Sequence, residues 1–217
     1  LEEFDWDGYR QRYGDIQRLD RILEAEGDSP NHYQASKQAD VLMLFYLLSA
    51  EDLEDILVRL GYQWDPDLIQ RNIDYYQQRT SHGSTLSWVV HAWVLARSDR
   101  RRSWELFRSA LESDVGDIQG GTTPEGIHLG AMAGTVDMME RCYSGLEAIG
   151  DVLRFNPVLP EGLESMEFPL LYRGHWVHVR IEDSQALIRT GEGGPAAAGI
   201  QVGDTSAALG DGVTLET

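Results

Sequence analysis

SKQADVLMLFYLLS, residues 36–49, is the stretch on which a reading of the fold turns. Val41, Leu42, Met43, Leu44, Phe45, Leu47 and Leu48 would cover nearly the whole circumference of a helix over Ser36–Leu48. A helix apolar all round is buried on all sides. On either side the apolar residues recur at three- and four-residue intervals, which predicts helices over Ile16–Ala25, Glu51–Leu60 (ended by Gly61), Asp67–Gln77, Leu86–Arg97, Ser103–Glu112 and Ile127–Glu147. One uniformly apolar helix among amphipathic ones suggests an inner and an outer layer, as in a barrel of helix pairs; a simple bundle fits the same pattern.

After Asn156-Pro157 the period changes to two. Phe168, Leu170 and Tyr172 alternate with other residues up to Arg173-Gly174, Val177, Val179 and Ile181 alternate up to Asp183-Ser184, and Ala186–Ile188 follows. That is a small antiparallel sheet with two turns. From Gly191 on, Ile200–Val202 and Val213–Leu215 read as edge strands or as parts of a loose tail. The fold class expected is mainly α with a small, sandwich-like β-domain, divided into residues 1–157 and 158–217.

The 217 residues carry 18 Lys+Arg against 36 Asp+Glu, a net charge of −18 that opposes binding to nucleic acid or to anionic lipid. A hydrophobic content of 42%, with six Trp and nine Tyr, supplies enough apolar surface for a core and excludes a disordered acidic chain. The single cysteine, Cys142, forms no internal disulfide and has no His or Cys at ligand spacing, so it reads as a buried thiol in a reducing, cytoplasmic setting. No apolar run has the roughly 20 residues that cross a bilayer. His175 and His178 sit three apart on an expected strand, face opposite ways and clamp no metal. There is no phosphate-binding loop of the Walker type and no dinucleotide fingerprint.

Three loops carry candidate chemistry. Lys37 and Gln38 fall in the first turn of the apolar stretch, where a lysine is poorly placed against the helix dipole unless a polar ligand accounts for it. Ser81, His82, Gly83 and Ser84 open directly into a helix, where freed N–H groups, hydroxyls and an imidazole donor suit phosphate. Gly121, Thr122 and His128 lie around a capping box, Thr122 with Glu125, whose glycines allow a ligand close to the backbone. Each loop also reads as an ordinary solvated helix start.

Taken in order, SKQADVLMLFYLLS, RTSHGSTLS leading into VVHAWVLA, DIQGGTTPEGIHLGAMAGTVDMMERCYSGLE and RFNPVLPEGLESMEFPLLYRGHWVHVRI resemble glycoside hydrolase family 65, the maltose, trehalose and kojibiose phosphorylases and their hydrolase relatives. The resemblance implies the last helices of an (α/α)6 barrel followed by a C-terminal antiparallel β-domain, and inverting cleavage of an α-glucosidic bond with inorganic phosphate as co-substrate and no other cofactor. It assigns Lys37 and Gln38 to the glucosyl unit, and Ser81, His82, Gly83, Ser84, Gly121, Thr122 and His128 to phosphate. The family's general acid belongs to a Pro-Asp-Glu-Tyr-type segment upstream; Glu2 and Glu3 precede Phe4 and do not match it, so no catalytic residue is expected in this chain. Expected partners are the disaccharide, phosphate, the N-terminal part of the barrel in the same or another chain, and a second copy in a homodimer. Two alternatives stand beside this: a family 65 hydrolase acting on trehalose or maltose, and a non-catalytic helical interaction module.

Overall fold

The computed structural model describes residues 1–118, 121, 123–182, 185–190, 199–208 and 214–215. They form two compact units, Leu1–Thr135 and Val136–Thr217.

The first unit is helical. Helix α1 (Trp6–Tyr13) starts at Asp5, whose Oδ1 accepts the Gly8 N–H at 3.0 Å. It was not legible in the sequence because none of its residues is fully buried and only Trp6 and Tyr9 turn toward a core. Helix α2 (Leu19–Ala25) buries Leu19 and Leu23 against Phe4, with Trp6, Tyr9, Tyr33 and Ala35 packed around them. Helix α3 is only Met43–Leu47. The long, fully buried helix expected over Ser36–Leu48 is therefore corrected. Leu42 is buried, but Leu44 and Leu47 are 46% and 66% exposed, and Ser36 forms a parallel bridge to Thr80 instead of entering a helix.

Helix α4 (Ala50–Arg59) is capped by Ser49, which accepts the Asp52 N–H at 3.0 Å and donates to its carboxylate at 2.8 Å, and ends before Gly61 at φ 86°. Helix α5 (Leu68–Gln77) leads to the Thr80–Ser84 turn, and α6 (Thr85–Leu95) follows. The inner position belongs to α6: Thr85, Ser87, Trp88, Val89, Val90, His91, Ala92, Val94 and Leu95 are all buried. Helices α3, α5 and α7 (Arg100–Glu112) pack on it, and Ser103 of α7 donates to the Ala92 carbonyl at 2.6 Å. Helix α8 (Leu129–Asp137) approaches α6 through Gly134, where a Cβ would lie 2.7 Å from Val89 Cγ1. The helix expected over Ile127–Glu147 stops at Asp137 and continues as a π-helical turn, Met138–Tyr143.

Among the described residues, the second unit holds two four-stranded sheets. One contains β3 (Ser165–Tyr172), β4 (His175–Glu182), β5 (Gln185–Thr190) and β8 (Thr214–Leu215) in the order β3-β4-β5-β8, all antiparallel. Arg173 and Gly174, at φ 49° and 85°, make the tight β3–β4 turn, the primed geometry that matches strand twist. Val177, Val179 and Ile181 of β4 are fully buried while the residues between them are exposed. The other sheet contains β1 (Glu147–Ile149), β2 (Val152–Phe155), β6 (Gly199–Val202) and β7 (Thr205–Ala208) in the order β1-β2-β6-β7. Strands β2 and β6 pair in parallel, which corrects the expectation of a purely antiparallel domain. With β1 and β2 grouped with the later strands, the units divide ahead of the Asn156-Pro157 switch at which the sequence was divided.

Candidate functional site

Two of the three candidate loops lie against each other. The Ser36 N–H donates to the Arg79 carbonyl at 2.7 Å, the Ser81 N–H to the Ser36 carbonyl at 2.9 Å, and the Gly83 N–H to the Lys37 carbonyl at 2.8 Å. Residues 36–37 thus run as a short parallel ladder beside residues 79–83, joining the Lys37 segment to the start of α6. Gly83 is required by this contact: a Cβ there would stand 2.8 Å from the Gln17 carbonyl oxygen and 2.9 Å from Lys37 Cγ. The Ser81 hydroxyl is buried within reach of the Gln17 and Lys37 carbonyls, at 3.3 and 3.4 Å.

Lys37 is half-exposed, and its Nζ pairs with Asp20 Oδ2 at 3.0 Å. Burial works to raise the Asp20 carboxyl pKa, but the hydrogen bond and charge of Lys37 outweigh it, and the carboxyl stays below its ordinary range. Gln38 is exposed and donates to Asp40 Oδ1 at 2.9 Å. Ser84 is the N-cap of α6 in extended conformation, with no side-chain capping bond.

His82 takes a left-handed backbone, φ 56°, and folds its ring back over α6. Its Nδ1 lies 3.0 Å from Ser87 Oγ, and its ring meets His91 edge to face at a centroid distance of 4.6 Å. Burial first, then the charges of His91, Arg102 and Arg10, push the His82 pKa down to about 3. Burial and Arg102 push His91 to about 4. Both imidazoles are neutral near pH 7. Each therefore offers one N–H and one lone pair.

The third loop is held by its own carboxylates. Asp117 accepts the Gly121 N–H at 2.8 and 3.0 Å and the Thr123 N–H at 3.2 Å. The buried Asp114 accepts the His128 N–H at 3.0 Å and contacts His128 Nδ1, and these bonds hold the Asp114 carboxyl below its usual pKa. Thr122 lies outside the described residues.

Asp20, His91 and Asp114 were missed as parts of these sites, while Ser87 and Asp117, which lie inside the candidate loops, were given no role. A histidine inside the run VVHAWVLA was the one visible signal, since an imidazole among apolar residues needs an account. Among the described residues no group of three His, Cys, Asp or Glu side chains is placed to hold a metal ion. His175 is buried and His178 exposed on opposite faces of β4.

Comparison with known proteins gives this arrangement its context. Residues 1–137 match the family model described as the glycosyl hydrolase family 65 central catalytic domain, and residues 146–209 match that family's C-terminal domain. A protein of Mycobacterium tuberculosis described as an uncharacterized glycosyl hydrolase is 60% identical over 90% of this chain and 15% of its own length. The trehalose 6-phosphate phosphorylase of Lactococcus lactis is 39% identical over 87% of this chain and 25% of its own. A solved structure from the human microbiome, assigned as a kojibiose phosphorylase, shares the fold with a TM-score of 0.65 at 22% identity, covering 83% of this chain and 23% of that one. The chain thus spans 15% and 25% of the length of those two curated relatives. It belongs to glycosyl hydrolase family 65, of which it carries central-domain helices and the C-terminal β-domain.

Proposed function

We propose that the protein carrying this chain is an inverting α-glucoside phosphorylase, and that these helices are the closing part of its (α/α)6 barrel. The observation that carries the reading is the pairing of Ser36-Lys37 with Arg79–Gly83, which brings the Lys37 segment against the hydroxyl-rich start of a buried helix. A helix start lined with hydroxyls and an imidazole favours an anion. The phosphorylases among the relatives support phosphate as that anion.

In the reaction, a glutamic acid supplied from outside this chain protonates the leaving glycosidic oxygen. A phosphate oxygen attacks the anomeric carbon from the opposite face, and the products are β-glucose 1-phosphate and the released acceptor sugar. Lys37 and Gln38 serve the glucosyl unit. Ser81, His82, Gly83 and Ser84 serve phosphate, with Gly121, Thr122 and His128 also assigned to it by the resemblance. No second carboxylate is needed, because phosphate is already a nucleophile.

A hydrolase is the second reading, favoured by Asp117, whose carboxylate occupies the Gly121 and Thr123 N–H groups. The deciding experiment is an assay of the full-length protein on trehalose, trehalose 6-phosphate, maltose and kojibiose with and without inorganic phosphate. Cleavage that requires phosphate, and a His82→Ala variant whose KM for phosphate rises far more than that for sugar, support phosphorolysis. Phosphate-independent release of free glucose supports the hydrolase.

A further inference from the structure

His91 is the feature of α6 that packing does not explain. It is 1% exposed, and neither ring nitrogen has a hydrogen-bond partner. A neutral imidazole carries one donor and one acceptor, and leaving either unmet in a buried place is destabilising. Phe or Leu at position 91 would fill similar space without that cost, and the neighbours Val89, Val90, Ala92, Val94 and Leu95 are all apolar. As the chain stands, His91 works against the stability of its own helix.

What it touches points to a use. Ser87 and His91 are one turn apart on one face of α6, and the His82 ring lies across both, held at Nδ1 by Ser87 and meeting His91 edge to face. His82 belongs to the Ser81–Ser84 turn, which bonds to Ser36 and Lys37. His91 is thus the buried neighbour of a side chain, His82, that joins the turn to the interior of the helix. Both rings are neutral, so no charge repulsion opposes their approach.

We propose that His91 is a positioning residue for this turn, its ring nitrogens gaining a partner when the turn carries phosphate. The inference rests on the phosphorylase reading above. An anion on the turn draws on the hydrogen-bonding capacity of His82. With the anion on the His82 Nε2–H, the Nδ1 lone pair exchanges Ser87 for one His91 N–H, directly or through an ordered water. The stability given up at position 91 in the empty state is recovered as phosphate affinity.

The test uses the full-length protein with His91→Phe and His91→Leu, thermal melts with and without inorganic phosphate, and phosphorolysis kinetics in which phosphate and disaccharide are varied separately. Expected are a Tm without phosphate equal to or above that of the parent, a smaller rise in Tm on adding phosphate, and a KM for phosphate raised roughly tenfold. The KM for the disaccharide should stay within about twofold. Folded variants with an unchanged phosphate KM and an unchanged phosphate-induced rise in Tm would overturn the inference alone. Failure of both variants to fold would overturn it too, because the imidazole would then be a requirement of the fold. A parent protein that neither melts higher with phosphate nor uses it would remove the phosphorylase reading itself, and the inference with it.

Discussion

The Gly83 N–H donates to the Lys37 carbonyl at 2.8 Å, and the same glycine leaves no room for a methyl group between itself and the Lys37 side chain. Two loops far apart in sequence are thereby locked at van der Waals distance. One small residue sets where the lysine stands relative to the start of α6.

Gly83→Ala tests that lock. The new methyl would meet a backbone carbonyl at 2.8 Å, and backbone yields less readily than the end of a side chain. A loss of about 1–3 kcal/mol in stability is expected from this overpacking, measured by denaturant unfolding. In the full-length protein the displaced turn should also weaken phosphate use. Wild-type stability and kinetics in the variant would mean that the two loops do not meet as described.

The buried histidine pair sets a pH dependence with a definite sign. His82 and His91 have folded-state pKa values of about 3 and about 4, both below the ordinary 6.5 of the unfolded chain. Between those limits the unfolded state binds more protons, so stability is fully present above about pH 6.5 and falls as the pH drops toward 4 and below. Urea melts at pH 7, 6 and 5 should show a steady decline, and His91→Phe should make it shallower. Stability that rises on acidification over that range would contradict the burial of the pair.

Much of this was legible in the sequence, and the exceptions have physical reasons. The β3–β4–β5 meander was plain because Val177, Val179 and Ile181 alternate with exposed residues and the Arg173-Gly174 turn takes positive φ. The run Val41–Leu48 misled because an apolar stretch without period says that something is buried but not in what conformation; of Ser36–Leu48 only Met43–Leu47 is helix, with Leu44 and Leu47 exposed, and the inner helix is α6. The sheet β1-β2-β6-β7 was missed because its parallel pair joins residues 152–155 to 199–202, and a contact over such a separation leaves no turn signal. The candidate loops were legible as polar helix starts. Their carboxylate partners Asp20, Asp114 and Asp117 were not, since one Asp looks like any other until the chain folds.

Asp114 carries a further prediction. It is 7% exposed and satisfies both the backbone N–H and the ring of His128. Asp114→Ala should lower stability by leaving those groups unmet, read from denaturant melts of the chain. The carboxyl is held below its ordinary pKa, so this contribution is present at neutral pH and lost as the pH falls below the carboxylate range. An Asp114→Ala protein as stable as the parent at pH 7 would show that His128 is held by other means.

Inverting phosphorolysis fixes the anomeric configuration of the first product, which proton NMR can follow during turnover of the full-length protein with disaccharide and inorganic phosphate. β-Glucose 1-phosphate appearing before any other glucose species is the predicted result. The α-anomer, or free glucose formed at the same rate without phosphate, would contradict the account.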